Sequence, residues 1–181
     1  MFDDYGAAQQ IGKLLLNLGH QRMALILARN AADEHFDNRQ IAGWLDFCRQ
    51  HDLFQHWEEP VYVICHPDLR RALAAYLARP ALPTAIVLGS PALAGALVGL
   101  GDLSLNIPRD LSVAAWQYPT PNGAAAGGFP ELTSVRPNLE RMAECSLEML
   151  DQMIRGESYP PPVRLPCTLV RTDSVAPPRS C

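Results

Sequence analysis

Lysine is nearly missing from this chain: of fifteen Lys and Arg residues, only Lys13 is a lysine. Acidic residues outnumber the basic ones, nineteen to fifteen, which leaves a formal net charge of -4. That sign excludes a module that grips nucleic acid alone, because phosphate binding needs a basic surface. Long apolar runs are missing too. Residues 80–101 carry no charge, but three prolines and four glycines interrupt them, so no membrane span is expected. No basic, apolar and small-residue leader opens the chain, which points to the cytoplasm rather than to export. The cysteines Cys48, Cys65, Cys145, Cys167 and Cys181 are odd in number and scattered, with no C-x-x-C pair. Neither a zinc ribbon nor a redox motif follows from them, and reduced thiols are expected. Charged residues make up only 19% of the chain, against roughly 25% in an average soluble domain. The 48% hydrophobic content excludes disorder. With 181 residues there is room for one domain or two small lobes.

Catalytic signatures are equally scarce. His51 and His56 flank Leu53, Phe54 and Gln55 in a loop-like stretch that is not H-E-x-x-H, so no metal is expected. Gly89-Ser90-Pro91 is not the G-x-S-x-G elbow, and Ser90 reads as a helix cap. Gly95, Gly99 and Gly101 follow no strand directly and precede no lysine, so they form no phosphate loop. His20 follows a helix-ending glycine and reads as a carbonyl partner. His66, at a strand end, is the best single candidate for acid–base work, with ligand contact and simple capping as its other readings. No catalytic constellation emerges, and neither an enzyme nor a cofactor is expected.

What the chain does carry is alternation. Asp4 is expected to cap a helix with Ile11, Leu14, Leu15 and Leu18 at helical spacing, closed by a left-handed Gly19. Met23 to Leu27 is a short continuous apolar run, as in a strand buried on both faces. A helix is expected from Asn38 to Gln50, a strand from Val61 to Ile64, and a helix with Pro67 in its first turn, reaching Ala78. A strand from Thr84 to Leu88, a helix opened by Ser90-Pro91 and a strand from Leu111 to Trp116 follow. This βαβ series predicts an α/β fold with a parallel sheet flanked by helices. Residues 119–131 read as a linker loop rich in Gly and Pro. Asn138 is expected to cap a long helix through Arg155 with the apolar stripe Leu139, Met142, Ala143, Leu147, Leu150 and Ile154. A proline spacer at 160–162, a short strand from Leu165 to Val170 and a frayed tail close the chain.

Several stretches resemble one family when taken in order. Leu18-Gly19-His20-Gln21-Arg22 is similar to its strand entry, and Ile41-Ala42-Gly43-Trp44 and Pro83-Thr84-Ala85-Ile86-Val87 continue the likeness. Ile107-Pro108-Arg109-Asp110-Leu111-Ser112-Val113 looks like its I-P-x-D-L-S-V, and Leu132-Thr133-Ser134-Val135-Arg136-Pro137 like its L-T-T-V-x-x-P. Leu165-Pro166 and Val170-Arg171-Thr172-Asp173-Ser174 resemble its closing L-P and V-x-R-x-S. The chain thus resembles the effector-binding region of LacI/GalR-type bacterial transcription regulators, from about residue 3 to residue 178. The resemblance implies a type I periplasmic-binding-protein-like fold of Rossmann-like lobes with a small-molecule effector in the interlobe cleft. Residues 1–118 and 163–175 would form the second lobe, and residues 132–156 a strand and helix that cross to the first. Most of the first lobe and the helix-turn-helix are expected to be absent from this chain, so operator DNA would be bound only through that separate head. A stand-alone small-molecule binding protein is the alternative.

The implied effector residues depart from the family pattern. The arginine of R-x-x-G falls on Gln40, with Arg39 one place earlier; the asparagine of N-D falls on Gly89, beside Ser90. The aspartate after the fourth strand falls on Gln117, beside Trp116. Neutral amides replace groups that would grip hydroxyls through stronger, charge-assisted bonds. A standard sugar is therefore not expected: either a different effector, such as a flatter one stacked on Trp116, or a site that has lost its ligand. Arg39, Gln40, His66, Gly89, Ser90, Trp116 and Gln117 are the candidate effector residues. Residues 92–100 are apolar or glycine throughout. A helix apolar all round must be covered on every side, either by the 119–130 loop or by a second subunit. The homodimer expected of the family would then use Leu93, Leu97 and Leu100.

Overall fold

A computed structural model describes residues 1–29, 38–100, 105–116, 131–157 and 161–179. The alternation resolves into helix α1 (Asp4–Asn17), strand β1 (Met23–Ala28), α2 (Asn38–Gln50), β2 (Val61–Ile64), α3 (Leu69–Leu77), β3 (Ala85–Leu88), α4 (Pro91–Val98) and β4 (Ser112–Trp116). Then come β5 (Thr133–Pro137), α5 (Leu139–Ile154) and β6 (Cys167–Val170). The six strands form one sheet in the order β2-β1-β3-β4-β5-β6. The first five run parallel, and β6 adds antiparallel to β5. The 119–130 loop lies outside the described residues.

The helices divide between the two faces, and alternation along β1 shows how. Met23, Leu25 and Leu27 face α1 and α2, packing with Ile11, Leu15, Trp44 and Phe47. Ala24 and Ile26 face α3 and α4, packing with Leu73, Tyr76, Leu93 and Leu97. Covered on both sides, a central strand must be apolar at every position. That is why β1 is one unbroken run.

Three of the boundaries that differ from expectation do so for a clear local reason. Asp3, not Asp4, caps α1: its carboxylate accepts the Gly6 amide at 3.1 Å. Asp4 instead accepts the Trp116 Nε1–H at 2.9 Å. Asp68 caps α3 by accepting the Arg71 amide at 3.1 Å, which leaves Pro67 ahead of the helix. Pro166 has no N–H for a ladder, so β6 starts after it; Leu165 pairs instead with Phe2 in an isolated bridge. Gly19 takes φ +96, the left-handed turn that ends α1. Among the described residues nothing covers the α5 stripe: Leu139, Leu147, Leu150 and Ile154 are all exposed, and Cys145 is the buried residue of that helix.

Candidate functional site

The sheet order fixes where a crevice opens. From β1 the chain crosses by way of α2 to β2 on one side, then returns by way of α3 to β3 on the other. Connections leave β1 and β3 toward opposite faces, so their carboxyl ends part the covering helices. Ligands in open α/β sheets bind at such a switch point. The residues delivered there are the first turn of α2, the β3–α4 turn and, beyond β2, Cys65 and His66.

Gln40 forms the floor. It is 7% exposed, and its Nε2–H donates to the Gly89 carbonyl at 3.1 Å. Gly89 is held from the other side, its amide donating to the Ile26 carbonyl at 2.8 Å. A Cβ on Gly89 would lie 2.4 Å from Leu27 Cδ2 and 3.1 Å from the Ile26 oxygen. A side chain at this place would require Leu27 to move, and Gln40 takes up the carbonyl of the glycine that stands there. Ser90 caps α4, accepting the Leu93 amide at 3.4 Å. Arg39 is half-buried, with Nη2 3.8 Å from the Asp3 carboxylate, which joins the rims of α1 and α2.

His66 is exposed, and its Nδ1 accepts the Asp68 amide at 2.9 Å. The same Nδ1 lies 3.0 Å from the Asp68 carbonyl, so either tautomer ties the ring to the Asp68 backbone. The ring thus supports the start of α3, and among the described residues no hydrogen bond to a carboxylate orients it as a base.

Two expectations need correction. Trp116 offers no stacking platform: its ring is 2% exposed within the α1–α2 core, and its indole N–H is tied to Asp4. Leu93 and Leu97 are 0% exposed, packed between α3 and the sheet, so neither is available to a partner. A helix reads as apolar all round when small residues make up its outer side, and here Ala92 and Gly95 face out while Leu100 is half-buried. Gln117 lies outside the described residues.

Asp3 and Asp4 escaped the sequence reading as rim residues, because a helix cap is identified only to within a residue from sequence. The capping bond from the Gly6 amide to Asp3 is the signal that separates them. His20 does act as a carbonyl partner: buried, it holds Ala176 O at 2.8 Å through Nε2 and Thr84 Oγ1 at 2.9 Å through Nδ1.

The arrangement presents amide and backbone groups at the switch point; among the described residues it assembles no nucleophile, base and oxyanion donor around one point. Residues 13–175 match the family described as the periplasmic binding protein-like domain. No curated protein matches the chain. Among solved structures it resembles a sugar-binding transcriptional regulator (LacI family) from Escherichia coli complexed with phosphate, at 21% identity and TM-score 0.73, covering 98% of this chain and 63% of that one. A LacI transcriptional regulator from a Rhodococcus species is similar at 22% identity and TM-score 0.77, covering 97% and 63%. A LacI family transcriptional regulator from Mycobacterium smegmatis is similar at 23% and 0.73, covering 99% and 66%. The likeness is one of fold, and the chain spans just under two thirds of the length of these relatives.

Proposed function

This chain belongs to the periplasmic binding protein-like domain family, and from that premise we propose that it is the effector-sensing and dimerisation domain of a LacI/GalR-type transcription regulator. The observation that carries the reading is the switch point between the carboxyl ends of β1 and β3, where Gln40 meets Gly89 and Arg39 meets Asp3. A small molecule that binds one lobe arrangement better than another shifts the population toward it. Coupled to a separate helix-turn-helix, that shift modulates operator binding. The domain works in the cytoplasm, binds rather than transforms its ligand, and does not recognise DNA by itself.

Residues 132–156 belong, in this reading, to the companion lobe of the sensor. Support comes from α5, whose exposed Leu139, Leu147, Leu150 and Ile154 form a face that further polypeptide would cover. The dimer contact belongs to the outer side of α4, at Ala92, Gly95 and Leu100.

The effector is not an ordinary sugar. Gln40 already donates to backbone, and Gly89 presents no side chain, so the floor lacks a free charged group to grip hydroxyls. Calorimetry with a panel of pentoses and hexoses tests this; micromolar binding of any of them refutes it. A thermal-shift screen against a wider metabolite collection tests the sensor reading. A stabilising compound is expected to lose its effect in Gln40→Leu. If every hit survives that change and maps by NMR away from the β1 and β3 carboxyl ends, the crevice is not the effector site.

A further inference from the structure

A second cavity lies at the opposite end of the sheet, where the strands begin. It measures about 700 Å³ and is lined by Arg22, His56, Trp57, Glu58, Glu59 and Arg79. Arg22 immediately precedes β1, residues 57–59 lead into β2, and Arg79 follows α3. The volume suits a small molecule, since ligand pockets run from about 300 to 1,000 Å³.

Its charges only partly neutralise one another. Arg79 and Glu59 form a closed pair: Nη1 donates to Oε2 at 2.6 Å, and the guanidinium lies over the Tyr76 ring at 5.1 Å and the Tyr62 ring at 5.6 Å. Arg22 has no such partner among the described residues. Its Nη2 donates to the Leu82 carbonyl at 2.6 Å, and its guanidinium lies 5.1 Å from the centre of the Trp57 ring. Those two anchors hold a half-buried cation in place without a carboxylate. A guanidinium has five donors, so most of the fork is left for a ligand. Trp57 is fixed in turn, its indole N–H donating to the Glu59 carbonyl at 2.7 Å. Glu58 is exposed and, among the described residues, has no cationic partner.

We propose that this cavity is a second ligand site, separate from the crevice, that takes a small zwitterion of the amino-acid type. The ligand's carboxylate pairs with the Arg22 fork, its ammonium with Glu58, and its apolar body lies along Trp57. The two arginines and two glutamates cancel, so a simple anion gains at Arg22 what it loses at Glu58. One unpaired charge of each sign on the wall matches a molecule that carries both. Because Arg22 and Trp57 are already anchored, little side-chain ordering opposes binding.

Aliphatic and aromatic amino acids, each beside its N-acetyl and its amide form, are titrated into the protein while calorimetric heat and tryptophan fluorescence are followed. Free amino acids are expected to bind saturably at millimolar concentration or below. Acetylation and amidation should each weaken binding at least about tenfold, the scale of one charge-assisted bond. Arg22→Met should reproduce the amide result, Glu58→Gln the acetyl result, and Trp57→Phe should remove the fluorescence change. Leu147→Gln, on the exposed face of α5, should change nothing. Equal binding of blocked and free forms, binding indifferent to Arg22→Met, or no saturation at millimolar ligand overturns the proposal. If Arg22→Met does not fold by circular dichroism, Glu58→Gln with the acetyl series decides between the same two outcomes.

Discussion

Gly89 shows why a residue-by-residue carry-over of a binding site needs the backbone around it. Leu27 Cδ2 and the Ile26 carbonyl fill the place of its Cβ. We expect Gly89→Ala to lower stability by about 1–3 kcal/mol through overpacking, read from the urea midpoint. An unchanged midpoint would mean that β1 yields easily there. His20 supplies a second residue-scale prediction. A carbonyl cannot donate, so Nε2 carries the hydrogen shared with Ala176, and Nδ1 of the neutral ring faces the Thr84 hydroxyl, whose single hydrogen it shares with the Arg22 carbonyl. Burial holds His20 below the ordinary 6.5, against a smaller opposing pull from the Ala176 carbonyl. A depressed value means that the fold prefers the neutral ring. Its contribution is complete above the unfolded value and lost as pH falls through the folded one. Wild-type stability should therefore decline below about pH 6.5 more steeply than that of His20→Gln, whose amide still donates to Ala176. Parallel slopes in pH-dependent urea melts would assign the decline to other groups.

Elements were legible where periodicity and a cap agreed. The helix Asn38–Gln50 and the strand Val61–Ile64 fall where the sequence places them, because apolar spacing there matches what the core demands. Helix α3 was displaced because Asp68 offers the Arg71 amide an acceptor, and side-chain capping outweighs the preference of Pro67 for a first turn. Gln40, Gly89 and Trp116 were named through the family resemblance. Their engagements, Gln40 with Gly89 and Trp116 with Asp4, were not, since a sequence does not state which polar atom meets which. The amino-end cavity was illegible: Arg22 was noted only as part of a strand entry, residues 57–59 and Arg79 carry no motif, and they meet through the parallel register of β1 and β2 and the end of α3. Helix α5 was read correctly as amphipathic, yet its stripe faces outward. The double variant Leu147→Gln, Leu150→Gln should thus change stability by no more than about 1 kcal/mol, as for exposed sites, and should reduce binding of a hydrophobic dye. A loss of several kcal/mol would show that something already covers the helix.

At the scale of the whole molecule, the proposals above divide the work between two ends of one sheet and one outer helix. The carboxyl ends of β1 and β3 hold the crevice, the amino ends hold a cavity with an unpaired charge of each sign, and α4 packs on the α3 face of the sheet between them. A partner that docks on α4 would touch a helix whose inner leucines pack on β3 and β4, so a change in the crevice turn at Gly89 and Ser90 reaches the interface through the helix that Ser90 caps. The clean test of that interface avoids the leucines. Leu97→Glu would bury a carboxylate in the core and unfold the chain, which says nothing of assembly. Gly95 differs: nothing lies within 4 Å of the position its Cβ would take. Gly95→Glu therefore fits the monomer, and helix propensity favours glutamate over glycine. Placed in a dimer contact, the same carboxylate meets its own copy or a desolvated apolar surface. We expect the variant to melt no lower than wild type by circular dichroism and to halve the mass measured by light scattering. A dimer of unchanged mass would move the interface off α4, and the link from crevice to partner would then have to run through another element.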